Sequence, residues 1–344
     1  MYVPVVSKSK TPLMPCHPAR ARELVREGRA VRRFKAGMYY IEMTNRVEGE
    51  VQPVAAAVDP GSKKEGYSVL SEKRTFLNIQ ADAVTHVKSS VGDRAEARRS
   101  RRYRNTPCRA NRQNRGRGGI PPSTKARWGA KVRMFAILRA LYPISVQGVE
   151  DIKAPTKEGS ANRKWNTRFS PLEVGKAWCY AELRKYGELK VYQGYETAEL
   201  RRAAGLPKLK NKLAENFYAH GVDAYVLART SLGLPVAMPD NVQLHLMSPL
   251  RFHRRELHRR QPSEGGVRNW YGSTRSEGFT RGSLIKHVKY GVAYVGGTMA
   301  GRISLHNRKS GKRLCQNAKP SECDFICYNA WRVSFAIDAA KAKG

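Results

Sequence analysis

Four side chains in this sequence are of the kinds that hold divalent cations and move protons, and each stands at the edge of a regular element. Asp59 follows the apolar run Val54–Val58 and precedes the turn pair Pro60-Gly61. Glu150 stands at the end of the strand pattern Ile144–Val149. Asp223 opens the helical pattern Asp223–Ser231, and His220 lies three residues before it in His-Gly-Val-Asp-Ala. Carboxylates carried on strand ends are held by rigid scaffold. Hard oxygen ligands suit Mg²⁺, with Mn²⁺ as a substitute, and two such ions clamp an in-line displacement at phosphorus. If helical geometry runs through 220–223, i and i+3 share a face. His220 then points into the same site, where it takes a proton from an attacking water or stabilises a leaving group.

Each residue taken singly has an ordinary reading. Asp-Pro-Gly is a common β-turn, Glu150-Asp151 a strand-end turn, and His220 a helix C-terminal residue beside the dipole. The charge of the chain favours the joint reading. Its 344 residues carry 64 Lys and Arg against 28 Asp and Glu, a net charge of +36. That excess exceeds what solubility needs and points to a polyanionic partner, first of all nucleic acid. The start, Met1 to Lys10, has no apolar core of a signal peptide, and no run of about 18 apolar residues marks a membrane span. No lipidation signal or basic amphipathic helix suggests a membrane surface. The six scattered cysteines suit a reducing compartment, so a cytoplasmic, nucleoid-accessible prokaryotic location is expected. Cys315, Cys323 and Cys327, with His306 as a fourth ligand, offer a zinc alternative to reduced thiols; thiols are the favoured reading.

The elements that must position these residues follow from pattern. Residues 1–50 read as a small α+β unit: strand Val3–Val6, a turn-rich bend at Pro12–Cys16, helix His17–Gly28 and strand Met38–Met43. Val54–Val58, Tyr67–Leu70 and Thr75–Ala83 read as an antiparallel meander. The three alanines of the first strand suit a position covered on both sides. Helices are expected at Ser123–Tyr142, Pro171–Tyr186, Leu209–His220 and Asp223–Ser231, and strands at Ile144–Val149 and Leu189–Val191. Residues 153–171 read as a polar loop. From Pro235 the pattern shifts to short strands, including Ser283–His287, Gly291–Val295 and Arg302–His306, as in a separate β-rich domain. The whole is a mixed α/β sheet with flanking helices.

Between the meander and the first long helix lies the densest charge run, Asp93–Arg117. Arg94, Arg98, Arg99, Arg101, Arg102 and Arg104 fall in its helical part, and Arg109, Arg112, Arg115 and Arg117 follow Pro107. At about 100° per residue the first six spread round almost the whole helix. Arginine on every side self-repels unless phosphates surround it, and arginine forks phosphate bidentately. A disordered basic arm is the plainer alternative.

Several of these stretches resemble RuvC-like nucleases of the IscB and IsrB families, transposon-encoded RNA-guided proteins. Pro12-Leu13-Met14-Pro15-Cys16 is similar to their N-terminal PLMP motif. Val58 to Lys63, Gly148 to Asp151 and His220 to Ala224 resemble the three RuvC segments, and Arg94–Asn105 resembles the bridge helix. Leu257-His258 through Gly265–Gly272 resembles the domain that reads a target-adjacent motif. The resemblance implies an RNase H-like (RuvC) mixed sheet with a small N-terminal α+β domain and a small β-rich C-terminal domain. It implies a PLMP-like domain over 1–50, RuvC-like segments over 51–90, 118–155 and 173–236, and a bridge helix and linker over 91–117. Residues 156–172 are a linker where IscB carries an HNH nuclease, and 237–344 form the target-adjacent-motif domain. No Cys-x-x-Cys pair or His-Asn-His array lies in that interval, so the match is to the HNH-less form, IsrB. The implied activity is a Mg²⁺-dependent nick in the non-target strand of duplex DNA, with a structured guide RNA as cofactor and a monomeric protein in the ribonucleoprotein. Asp59, Glu150 and Asp223 are the implied metal ligands, with His220 beside them.

Other classes stay open on sequence. An unguided, resolvase-like endonuclease uses the same acids but has no need of the arginine helix. An actin-like ATPase fits Asp59-x-Gly61-Ser62 but needs a second phosphate loop. A catalytically dead nucleic-acid-binding regulator has no need of the full acidic set.

Overall fold

The computed structural model describes residues 2–104, 120–152, 171–250, 260–261, 266–267, 275–329 and 331–336. Its first sheet contains β1 (Val3–Val6), β2 (Pro12–Cys16), β3 (Ala30–Lys35) and β4 (Met38–Met43), in the order β2-β1-β4-β3. Pro12–Cys16 is therefore a strand, not the bend its two prolines suggest. It pairs antiparallel with β1 at the sheet edge, where a missing N–H costs no ladder bond. Helix α1 (Pro18–Arg26) starts on proline, and Gly28 takes the left-handed conformation, φ 71°, just past its end. Leu13, Leu24 and Ile41 form the core of this unit.

The next seven strands in space form the central sheet. β5 (Val54–Asp59), β6 (Lys64–Ser71) and β7 (Thr75–Asp82) are the expected antiparallel meander. β8 (Val146–Asp151) lies parallel to β5, and β9 (Glu188–Gln193) parallel to β8. On the far side β10 (Leu244–Pro249) runs parallel to β7, and β20 (Trp331–Phe335) closes the sheet antiparallel to β10. The order β20-β10-β7-β6-β5-β8-β9 contains an RNase H-like core, β7-β6-β5-β8-β9, extended by two strands. Both added strands come from within residues 237–344, so this stretch contributes to the central sheet as well as to a β-rich unit.

Helices cover both faces. Side chains alternate along a strand, so Val54, Ala56 and Val58 face one way and Ala55, Ala57 and Asp59 the other. The first set packs with Met134, Phe135 and Leu138 of α3 (Pro122–Arg139) and with Cys179 and Leu183 of α4 (Pro171–Arg184). A buried ion pair, Lys131–Glu65 at 2.6 Å, also ties α3 to β6 on that side. The second set meets Val222, Val226 and Leu227 of α6 (Val222–Ser231). All six residues of β5 are buried, as its alanines suggest. The small residues let α6 approach closely. A Cβ on Gly148 would stand 2.5 Å from Ser231 Oγ, and one on Gly66 would collide with the His220 carbonyl.

Two helical segments differ from expectation. Residues 194–203 form α5 (Gly194–Ala203), which the pattern did not reveal. Leu209–His220 is not a helix. Asn211 Oδ1 accepts from Leu213 N at 3.0 Å and Asn216 Oδ1 accepts from Tyr218 N at 2.9 Å, so both asparagines make local turns. Only Phe217–Gly221 is helical, as a π-helical turn, and it runs through Gly221 into α6. Helix α2 (His86–Tyr103) is longer at its start than the arginine run implied.

The β-rich unit is a five-stranded sheet in the order β18-β17-β16-β15-β19. Its strands are β15 (Leu284–His287), β16 (Gly291–Met299), β17 (Arg302–Asn307), β18 (Arg313–Ala318) and β19 (Cys323–Cys327). Two short ladders precede it: β11 (Arg260–Gln261) with β12 (Gly266–Val267), and β13 (Arg275–Ser276) with β14 (Phe279–Thr280).

The close seating of the π-turn on β6 predicts an asymmetry between two Gly→Ala changes. Gly66→Ala should destabilise by about 1–3 kcal/mol, because backbone must shift. Gly92→Ala in α2, with open space around it, should be neutral or stabilising by up to about 1 kcal/mol. Thermal unfolding of both variants checks this; equal midpoints would contradict the seating.

Candidate active site

Strand parity and register bring the first two acids together. Asp59 ends β5 on the face covered by α6. The register that pairs Ala57 with Gly148 and Val58 with Val149 carries Glu150 to the neighbouring strand end. Parity also separates Glu150 from Asp151. Val146, Gly148 and Glu150 share the α6 face, whereas Asp151 turns towards α4. There it accepts from Tyr180 Oη at 3.0 Å and Gln193 Nε2 at 3.4 Å, and pairs with Lys176 Nζ at 2.9 Å. Burial alone would raise the Asp151 carboxyl, but the bonds from Lys176 and Tyr180 hold it below its ordinary value. Asp151 thus anchors the strand end, leaving Glu150 to face the site. Behind the turn after β5, Arg127 Nη2 of α3 donates to the Gly61 carbonyl at 3.4 Å.

The π-turn and the start of α6 supply the other two residues. π-turns recur at functional sites because they realign side chains within a helix. His220 Nδ1 stands 2.9 Å from Asp59 Oδ2, and its Nε2 stands 3.1 Å from the Lys212 carbonyl. Both ring nitrogens therefore face acceptor oxygens. Asp223 is 1% exposed. Arg201 Nη1 of α5 lies 2.5 Å from its Oδ1, and Lys208 Nζ contacts its Oδ2. Sequence reasoning missed Arg201 and Lys208. They come from α5 and the loop after it, and no spacing relates them to Asp223; an acid buried this deeply in so basic a chain is the signal that a cation must pair with it.

The structure therefore brings together all four residues expected from the sequence. Asp59, His220 and Asp223 are buried and Glu150 is half-buried. Burial first, then the charges of Asp59 and Asp223, pushes the Glu150 carboxyl up from 4.5 to about 7. The three carboxylates are hard oxygen donors, the kind a divalent cation takes. Among the described residues no three Asp, Glu, His or Cys side chains stand in ligating geometry. Arg201 and Lys208 already occupy both oxygens of Asp223, and His220 occupies Asp59.

The arginine helix α2 packs against α3. Val87, Val91 and Ala95 form a half-buried stripe on α2, whereas Arg94, Arg98, Arg99, Arg102 and Arg104 are exposed. The side chain of Arg101 and the later arginines 109, 112, 115 and 117 lie outside the described residues. So do residues 153–170, expected as a loop, and most of the 257–272 stretch. Cys315 sits on β18, and Cys323 and Cys327 on β19, the two edges of the five-stranded sheet. His306 Nδ1 is 3.2 Å from the Gly311 carbonyl. No helix among the described residues is long and apolar enough to cross a membrane.

Comparison with known proteins places these features beside a family. The model of the RRXRR protein family matches residues 3–166, a little under half of the chain. The matched range includes Asp59, Glu150 and α2, in which residues 98–102 read Arg-Arg-Ser-Arg-Arg. Among solved structures, T. thermophilus RuvC in complex with Holliday junction substrate is 14% identical, covering 52% of this chain and 92% of its own at a TM-score of 0.27. The yeast mitochondrial Holliday junction resolvase Ydc2 is 15% identical, covering 52% and 78% at a TM-score of 0.25. No curated protein matches.

Glu150 gives the metal-free protein a pH signature. Its carboxyl is raised in the folded state, so its contribution is fully favourable below about pH 4.5 and is lost as pH rises through about 7. In EDTA, Glu150→Gln should therefore gain stability relative to the parent between about pH 5 and pH 8, by on the order of 1–2 kcal/mol after allowance for solvent contact. Unfolding at both pH values measures the difference; a gap that stays constant or reverses would contradict the raised Glu150 carboxyl.

Proposed function

We propose that this chain is an RNA-guided DNA nickase of the IsrB kind, hydrolysing the non-target strand at one metal-dependent centre. The observation that carries the reading is the convergence of Asp59, Glu150, His220 and Asp223 at one end of an RNase H-like sheet. The match to a family model found in IscB- and IsrB-type nucleases and the exposed arginines of α2 support it.

Asp59, Glu150 and Asp223 would hold Mg²⁺ or Mn²⁺, and the metal would supply Lewis acidity at phosphorus and an activated water. Asp59 and Glu150 are carried on neighbouring strand ends, so their spacing is set by the sheet rather than by a loop. His220 is placed by its bond to Asp59. With Nε2 released from the Lys212 carbonyl, its ring gains a free nitrogen for proton transfer at the scissile phosphate.

RNA pairing supplies specificity, while the protein reads heteroduplex shape and a short flanking motif. The arginines of α2 would pair with phosphates of the guide RNA and the heteroduplex, relieving their mutual repulsion. Pairing leaves the target strand in a stiff duplex and the other strand single. A site at the open end of a sheet accepts the flexible strand into in-line geometry more easily than the stiff one. One centre, and an interval of 156–172 too short for a second nuclease domain, limit the reaction to a nick.

A duplex labelled separately on each strand, incubated with protein, guide RNA and Mg²⁺, should show a cut in the non-target strand alone. Asp59→Ala, Glu150→Ala or Asp223→Ala should lower cleavage by at least about 100-fold, while gel-shift binding of RNA is retained. Cutting of both strands would contradict nicking. Cutting of branched DNA with no RNA would replace the guided reading with a resolvase-like one.

A further inference from the structure

The loop 204–216 between α5 and the π-turn crosses the acidic cluster and is attached to it twice. Lys208 Nζ reaches Asp223 Oδ2, and the Lys212 carbonyl meets His220 Nε2 at 3.1 Å. Its other ties to the fold are few among the described residues. Leu206 is buried, and Leu209 N donates to the Tyr218 carbonyl at 2.9 Å. Residues 207–213 are all exposed, and three of them are lysines: Lys208, Lys210 and Lys212. Arg201 Nη1, from the last turn of α5, holds the other oxygen of Asp223.

This arrangement has a chemical consequence. Asp223 is almost fully buried, and to stay ionised there it needs a counter-charge. Lys208 and Arg201 provide it here. A divalent cation at the same oxygens cannot coexist with the Lys208 ammonium at contact distance, because like charges there repel strongly. The same loop also sets the Lys212 carbonyl against Nε2, the His220 ring nitrogen not turned to Asp59.

We propose that Lys208 is a counter-ion placeholder: it neutralises Asp223 in the metal-free site and must leave for a divalent cation to enter, taking the 204–216 strap off His220 as it goes. The proposal rests on the metal-dependent reading above and deepens it. Arg201, 13% exposed in its side chain and carried on a helix, stays and orients Asp223; Lys208, 28% exposed and carried on a loop, is the one free to move. Once displaced, Lys208 joins Lys210 and Lys212 as a cationic cluster beside the site, placed to pair with the phosphates of an incoming single strand. Metal and nucleic acid then favour the same open state, and each binds more tightly in the presence of the other. Lys208 is a positioning residue in this scheme, since it touches a ligand side chain and not the reacting phosphate.

The experiment is Mn²⁺ titration of the full-length chain without nucleic acid, read by electron paramagnetic resonance, for the parent, Lys208→Met, Lys208→Arg and Asp223→Asn. Lys208→Met should bind Mn²⁺ on the order of tenfold more tightly than the parent, because the competing charge is gone. Lys208→Arg should stay near the parent, and Asp223→Asn should bind more weakly than either. Hydrogen exchange gives an independent readout: saturating Mn²⁺ should speed exchange at Leu209, whose amide bond to Tyr218 belongs to the closed strap. Equal or weaker Mn²⁺ binding by Lys208→Met, with the parent binding normally, would overturn the placeholder while leaving the metal site intact. Unchanged exchange at Leu209 would overturn the movement of the strap. No Mn²⁺ binding by any of the four proteins would overturn the metal reading itself, and the placeholder with it.

Discussion

Repulsion among three carboxylates at one end of the central sheet is the constraint on which the rest depends. Asp59, Glu150 and Asp223 are placed by strand register, strand parity and the seating of α6, none of which yields to charge. Burial and that repulsion together raise the Glu150 carboxyl, and two cationic groups, Arg201 and Lys208, are recruited to Asp223 while His220 bonds Asp59. A folded protein of net charge +36 that gathers acids in one buried place does so against the ease of scattering them among its lysines and arginines. Such an arrangement stores a preference for concentrated positive charge, which a divalent cation satisfies more fully than flexible side chains do.

The packing explains why the acids can be so close. The α6 face of the sheet is lined with Ala55, Ala57, Gly66 and Gly148, so the helix backbone lies nearly on the strands. The opposite face carries the bulk: Tyr67 of the sheet packs with Met134, Phe135 and Leu138 of α3. Large side chains thus hold the sheet rigid from one side while small ones admit α6 from the other. Asp151 belongs to the rigid side, tied to Lys176 and Tyr180, and this gives the Glu150-Asp151 pair two different jobs.

How much of this was legible in the sequence follows from which forces are local. The β5–β6–β7 meander, β8, α4, α6 and the three central strands of the β-rich unit were readable, because apolar runs and turn residues report them directly. Their carboxylates were readable for the same reason, as polar residues at the ends of apolar runs. Pro12–Cys16 was misread, because the proline signal describes the local chain and not an edge position in a sheet. Leu209–His220 was misread, because its periodicity is helical while Asn211 and Asn216 form local turns and the Lys212 carbonyl bonds His220 instead of a helical partner. β10 and β20 joined the central sheet by pairing between segments far apart in sequence, which no local pattern encodes. Arg201 and Lys208 were missed for the same reason: an ion pair across 22 or 15 residues has no periodic signature.

The proposed divalent-metal centre is built from strand ends 59 and 150 and from the π-turn and α6 start at 220–223. Iron-directed cleavage tests it with no reliance on nuclease activity: Fe²⁺ substituted for Mg²⁺, with ascorbate and peroxide, cuts the polypeptide backbone beside the bound ion. Fragments ending near residues 59–61, 149–151 and 220–223 are expected, suppressed together by excess Mg²⁺. Fragments confined to the region of His306 and Cys323, or cuts at one of the three segments without the others, would contradict it.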